Sequence, residues 1–241
     1  LGDVYKRQGK DRRKVKGDYY LSEREEEDLR YLAEMNKPVI LILNAGGPVE
    51  LTDILEQTDN IKGILNISQL GQEGGDALAD VLLGKEVPGG KLTTTWARRY
   101  EDYPASEEYG YLNGNLEKEK YKEGIYVGYR YFDSFDKKVM FPFGFGLSYT
   151  MFEMMCCSIN MEESKIRAEV QVTNTGNEYA GKEVVQIYVT LPQTELEKEY
   201  KRLAGFAKTR LLKPGETQTL TVEIPQKQLA SFNEAVSYTH L

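Results

Sequence analysis

YKEGIYVGYRYFDSFDKKVMFPFGFGLSYT, residues Tyr121–Thr150, is crowded with tyrosine and phenylalanine and is broken by Gly124, Gly128, Pro142, Gly144 and Gly146. The glycines interrupt it too often for a helix, and its apolar alternation lapses too often for one long strand. It reads as an extended, turn-rich connector held by aromatic anchors. Before it the chain alternates strands with helices, and after it the chain is nearly all strand and turn. The fold class expected is therefore α/β followed by all-β, two domains tied by this connector.

Working upstream, Ser22 stands three residues before Glu25, the spacing of a capping box, and the run EREEEDLRYLAEM follows. Acidic residues fill its first turns, where the helix dipole favours them, and Leu29, Leu32 and Ala33 share one face. Pro38 stops the helix. PVILILN is a continuous apolar run rich in β-branched residues, the pattern of a strand covered on both faces in a parallel sheet. Asn44–Pro48 turns the chain, Val49–Gln57 is a second helix, and Ile61–Ile67 a second strand. In GQEGGDALADVLLGK, Ala77, Leu78, Val81 and Leu82 form an apolar face and Gly84 offers a C-cap. Strand alternating with helix implies a parallel sheet with helices packed on it. Gly71–Gly75 falls at a strand's carboxyl end, where open α/β sheets often bind ligands. It is neither a dinucleotide fingerprint nor a phosphate loop. Gln72 and Glu73 are candidate substrate contacts there, although a tight turn that satisfies the helix start accounts for them more simply.

Downstream, SKIRAEVQVTNTG alternates cleanly, with Ile166, Ala168, Val170 and Val172 on one face and Lys165, Arg167, Glu169 and Gln171 on the other. KEVVQIYVTLP, KRLAGFAKTRLL and TQTLTVEIP continue as strands, and KPGE (Lys213–Glu216) is a turn. This spacing predicts an immunoglobulin-like sandwich. Tyr188, Tyr200 and Phe206 could stack on sugars, but a place in the sandwich core is the simpler expectation.

The chain has 241 residues, 40% apolar and 29% charged, with a net charge of -7. An acidic balance speaks against nucleic acid as a partner, which wants clustered Lys and Arg. The basic stretch Lys6–Lys16 reads as a solvated segment. No apolar run approaches the roughly 20 residues that span a bilayer. Cys156 and Cys157 are adjacent, which disfavours a disulfide and lacks metal-ligand spacing, so both are expected reduced, pointing to a cytoplasmic location. Asp3–Gln8 (DVYKRQ) and Ser237–Leu241 (SYTHL) resemble linker-derived sequence found at the ends of unrelated translated contigs. Residues 1–8 and 237–241 are therefore kept out of the fold reasoning, and His240, the only histidine, is given no function.

Several motifs in this order resemble the C-terminal part of glycoside hydrolase family 3, the β-glucosidase family. They are KGDYYLS (16–22), GQEGGDALADVLLGK (71–85), YKEGIYVGYRYFD (121–133), FPFGFGLSYT (141–150), VTNTGNEYAGKEVVQIYV (172–189) and KTRLLKPGETQTLTVEI (208–224). The resemblance covers about residues 9–234. It implies that 9–105 close an α/β sandwich domain, 106–150 connect, and 151–236 form a truncated fibronectin type III-like sandwich. It also implies a catalytic barrel N-terminal to this region. After Ala230–Phe232 at least one more strand is expected to close the sandwich, so an unpaired edge should remain.

The activity implied is retaining hydrolysis of β-linked glucosides or oligosaccharides from non-reducing ends, without metal or organic cofactor. Two carboxylates share the work. The nucleophile is an aspartate of the barrel. The acid/base glutamate lies in a Gly-Glu-Gly-x-Asp-Arg motif, which Gly9, Asp11 and Arg12 match here while Gln8 takes the glutamate's place. An amide carries no ionisable proton near neutral pH, so Gln8 cannot serve. No catalytic residue is expected in the chain, and Asp11 and Arg12 are candidates to buttress the acid/base loop. The chain alone is expected to be inactive. A β-xylosidase or α-arabinofuranosidase of the same family, and a non-catalytic carbohydrate-binding or scaffolding module, are the alternatives.

Overall fold

A computed structural model of the chain describes residues 13–35, 37–108, 117–118, 120–233 and 238–240. It divides into two compact units that are not contiguous in sequence. The first gathers residues up to Gly74 with Thr94–Gly124 and Lys137–Pro142. The second gathers Gly75–Thr93, Ile125–Asp136 and the residues from Phe143 onward.

In the first unit, helix α1 (Glu23–Glu34) starts at the expected capping box: the Glu25 N–H donates to the Ser22 hydroxyl at 3.3 Å, and the Ser22 N–H donates to the Glu25 carboxylate at 2.7 Å. Strands β1 (Val39–Leu43) and β2 (Ile61–Asn66) pair in parallel, from Ile40 opposite Gly63 to Leu43 opposite Asn66. The strands are those expected, but β1 is not covered on both faces. Ile40 is 54% exposed and Ile42 37%, while Leu43 is buried. The sheet has two strands among the described residues. Helix α2 runs only over Thr52–Gln57, because the Glu50 N–H is bonded to the Tyr19 carbonyl and holds Val49–Leu51 out of the helix. A short strand β3 (Trp96–Ala97) pairs antiparallel with β4 (Val139–Phe141). Tyr19, Leu43, Val49, Leu51, Ile54, Trp96, Ala97 and Tyr100 are the buried apolar residues of this unit.

In the second unit, helix α3 (Gly74–Leu82, counted here from Gly75) ends as expected at Gly84, whose φ of +71° suits glycine and whose N–H bonds the Val81 carbonyl at 3.1 Å. Leu82 of its anticipated apolar face is exposed. The connector holds a helix where none was expected, α4 (Tyr129–Ser134). Its six residues lie free of glycine, beginning just after Gly128, whose φ is +60°. The Phe132 ring buries, the Tyr129 ring stacks on Phe143 at 4.8 Å, and the Tyr129 hydroxyl accepts the Leu203 N–H at 2.7 Å. Local glycine content had hidden a helix that aromatic packing stabilises.

The remainder is the expected β layer. Strands β5 (Phe152–Met161), β6 (Lys165–Asn174) and β9 (Thr217–Pro225) make one antiparallel sheet in the order β5-β6-β9, and β7 (Val184–Val189) with β8 (Arg202–Lys208) makes a second. Ala168, Val170 and Val172 are buried on one face of β6, as the alternation predicts. Val170 and Val172 cluster with Val185, Leu212 and Leu220, and Ala204, Val222 and Ile224 form a second buried cluster. The side chain of Asn174 is wholly buried: it donates to the carbonyls of Tyr179 and Leu212, both at 2.9 Å, and accepts from the Thr150 hydroxyl at 2.6 Å and the Gly176 N–H at 3.1 Å. Phe206 and Tyr200 are exposed rather than core residues, and Tyr188 packs edge-on against Tyr129. A last pair, β10 (Ser231–Asn233) with β11 (Tyr238–His240), is antiparallel.

Candidate functional site

The carboxyl ends of β1 and β2 lie side by side because the strands are parallel and in register. Asn66 ends β2, and its side-chain oxygen accepts the Ser68 N–H at 3.4 Å. That bond accompanies a φ of +53° at Ser68, a left-handed conformation that costs a non-glycine residue energy. Gly46, in the turn after β1, packs against the Gln69 side chain. The next turn closes with the Gly74 N–H on the Gly71 carbonyl at 3.0 Å. Gln72 and Glu73 stand in that turn and are both exposed. They are at the strand end the sequence indicated, but on the surface. Gln8, Gly9, Asp11 and Arg12 lie outside the described residues.

A more densely built feature surrounds Arg13–Tyr20, the segment that follows Arg12. It folds on itself: the Val15 and Tyr19 N–H groups donate to the Arg13 carbonyl at 2.8 and 3.2 Å, and the Arg13 N–H to the Asp18 carboxylate at 2.9 Å. Gly17 turns the chain at φ +78°. The loop is then fastened at three places. Tyr19 is buried, edge-on to Tyr100 at 4.9 Å and to Tyr103 at 6.4 Å. The Lys14 ammonium pairs with the Glu101 carboxylate and lies 5.2 Å from the centre of the Tyr100 ring. The Tyr19 carbonyl takes the Glu50 N–H at 3.4 Å.

Glu50 holds the seat together. Its side chain is 10% exposed; one oxygen accepts from Arg99 Nη1 at 3.0 Å and the other from the Tyr100 N–H at 2.8 Å. Arg99 reaches Asp53 with its other arm at 2.5 Å. The bond to Glu101 raises the Lys14 pKa, and the bond to Lys14 lowers that of Glu101. Asp53 is lowered by its Arg99 bond, and Arg99 is raised by Asp53 first and Glu50 second. Burial, then the nearby Glu101 and Glu50 charges, raises Tyr20. Lys14, Glu101, Asp53 and Arg99 thus hold fixed charges near neutral pH and Tyr20 stays neutral, which suits a mount rather than a proton relay. Partners some fifty residues apart make this cluster invisible to any local window. The one sequence signal was the aromatic-basic run WARRYEDY at 96–103. Among the described residues no group of His, Cys, Asp or Glu could hold a metal ion, and no helix is long and apolar enough to cross a membrane.

Residues 2–129 match the model of the glycosyl hydrolase family 3 C-terminal domain. The chain belongs to glycoside hydrolase family 3. Residues 183–240 match a fibronectin type III-like domain. The family 3 chain is 42% identical over 236 residues to β-glucosidase A of Butyrivibrio fibrisolvens, covering 90% of this chain and 28% of that protein. It superposes on β-glucosidase 3B from Thermotoga neapolitana, solved with glucose, with a TM-score of 0.86 at 44% identity, over 93% of this chain and 32% of that one. It is 34% identical over 214 residues to an exo-α-(1→6)-L-arabinopyranosidase of Bifidobacterium breve, covering 88% of this chain and 27% of that protein. The chain spans about a quarter of the length of the curated relatives it matches.

Proposed function

We propose that this chain is part of a retaining β-glucosidase that removes β-linked glucose from non-reducing ends, and that it supplies the mount for the acid/base loop rather than either catalytic carboxylate. Residues 9–105 would complete the α/β sandwich domain, 106–150 connect, and 151–236 form the fibronectin-like domain. The observation that carries the reading is the seat of Arg13–Tyr20. This loop directly follows the segment that resembles the acid/base motif, and Glu50, Arg99, Tyr100 and Glu101 fasten it. Retaining hydrolysis needs its two carboxylates about 5 Å apart, so the proton donor must be held to a fraction of an ångström. A loop anchored by the buried Tyr19 ring and clamped by ion pairs serves that need. Asp11 and Arg12 would lie between the mount and the donor. The nucleophile would come from a barrel in the longer polypeptide.

A second reading concerns the sugar. The arabinopyranosidase relatives favour a family member that takes a different glycoside, and a β-xylosidase or α-arabinofuranosidase activity is the form this alternative takes here. Expressing the longer gene that contains this region and assaying aryl β-glucoside, β-xyloside and α-arabinoside separates them. A 2-deoxy-2-fluoroglucoside should become attached to an aspartate outside these 241 residues. Attachment inside them, or no hydrolysis of any of the three glycosides, would overturn the reading.

A further inference from the structure

We propose that the adjacent thiols Cys156 and Cys157 form a site for one soft monovalent cation of the copper(I) or silver(I) class, held between two thiolate sulfurs at a bulge in β5. The chain has two cysteines, and they follow two methionines in the run MMCC, Met154–Cys157. Both thiols are free and exposed.

A regular strand sets neighbouring side chains on opposite faces and keeps two such sulfurs apart. β5 is not regular here. Its pairing with β6 passes from Cys156 opposite Val170 directly to Ser158 opposite Glu169, and Cys157 is the extra residue. Val170 is buried on the inner face, whereas Glu169, on the outer one, accepts the Ser158 hydroxyl at 3.3 Å. Two steps along an unbroken strand return to the same face; the two steps from Cys156 to Ser158 change it. Cys157 therefore shares a face with one of its neighbours. The two side chains also lean towards each other along the chain. Cys156 Sγ reaches forward to 3.9 Å from the Ser158 carbonyl, and Cys157 Sγ reaches back to 3.7 Å from the Met155 carbonyl. A thiol is a weak donor, so these contacts are given up at little cost when the protons leave.

β5 is the end strand of its sheet, with β6 on one side and no named strand on the other. A strand laid over the inner face would cover Met154, Ile159 and Met161, which stand opposite Val172, Ala168 and Ile166, and would leave the bulged edge open.

The donor set selects the ion. Two thiolates suit a soft d10 cation that accepts linear coordination. Zinc wants four ligands on spaced loops, and calcium and magnesium want oxygens. Among the described residues no three His, Cys, Asp or Glu side chains come together to supply such a set. Binding forms two sulfur–metal bonds, breaks two S–H bonds and releases two protons, with no change of oxidation state. The inference is independent of the glucosidase reading.

Counting thiols tests the site. The reduced chain should take up two maleimides, one on each cysteine. One equivalent of silver nitrate in chloride-free buffer should bring that to none, with sedimentation unchanged, because one ion engages both sulfurs. Cys156→Ser and Cys157→Ser, at exposed positions and with far-UV dichroism matching the parent's, should each hold copper(I) about a hundredfold less tightly in competition with bathocuproine disulfonate. One maleimide still taken up at one equivalent of silver overturns the proposal. So does a dimer formed on adding silver, or a serine variant that holds copper(I) as tightly as the parent.

Discussion

Replacing Glu50 by glutamine changes one oxygen to an NH2 group and removes one charge from the seat of the Arg13–Tyr20 loop. The carboxylate uses both oxygens as acceptors, from Arg99 Nη1 at 3.0 Å and from the Tyr100 N–H at 2.8 Å. An amide offers one acceptor and one donor, so one of those partners must face an N–H. Hydrogen bonds to charged groups contribute about 1.5–3 kcal/mol each. Losing one and weakening the other should cost about 2–4 kcal/mol. That is a large share of the roughly 5–15 kcal/mol that holds a domain folded. Trp96, the only tryptophan and 2% exposed, belongs to the same unit and reports its unfolding by fluorescence. With a urea slope of about 1–3 kcal/mol per molar, the Glu50→Gln midpoint should fall by about 1.5 M. Asp53→Asn is the comparison. Its carboxylate holds the same arginine but is 67% exposed, so it should cost no more than about 1 kcal/mol. If Glu50→Gln left the Trp96 transition in place, or if Asp53→Asn moved it equally, the seat would not be organised around Glu50.

Three further outcomes follow from the second unit. Glu199 is buried, and burial alone would raise its pKa; the bonds from Arg202 at 2.6 and 3.1 Å outweigh that and lower it. A depressed folded value means stability present above the ordinary glutamate range of about 4.3 and lost as pH falls through it. Thermal midpoints of Glu199→Gln should therefore be lower than the parent's at pH 7 and converge with it towards pH 3, and a constant difference would refute the assignment. Asn174→Ala removes the amide donor from the Tyr179 and Leu212 carbonyls, the latter keeping its bond from the Gly181 N–H, and takes the acceptor from the Thr150 hydroxyl; urea unfolding followed by far-UV dichroism should show a loss of about 3 kcal/mol. Gly205→Ala places a methyl 2.7 Å from Val222 Cγ1 and should cost about 1–3 kcal/mol by the same measurement, whereas Gly71→Ala, with nothing within 4 Å, should be nearly neutral.

Elements set by local pattern were legible in advance. The Ser22 capping box, the Gly84 helix end and the alternation of Ile166–Val172 each lie within a few residues, and each is where the pattern puts it. What escaped was decided at long range. Helix α4 was masked by flanking glycines and depends on Phe143 and Leu203. Helix α2 lost its first turn to a bond from the Glu50 N–H to the Tyr19 carbonyl, some thirty residues earlier. A run such as VILIL signals apolar surroundings but not what supplies them, so the exposed side of β1 could not be read from it. For the same reason the Glu50–Arg99 clamp had no local signature, while Gln72 and Glu73, which stood in a conspicuous motif, proved to be surface residues.

We propose that these residues mount the catalytic machinery without containing it. The direct test is hydrolysis of 4-nitrophenyl β-glucoside by the purified 241-residue chain, beside the longer protein at equal concentration. Nitrophenol should be released by the longer protein and not, above a mock purification, by the chain. Turnover by the chain alone, abolished by a substitution within it, would place a catalytic carboxylate inside these residues and contradict the proposal outright.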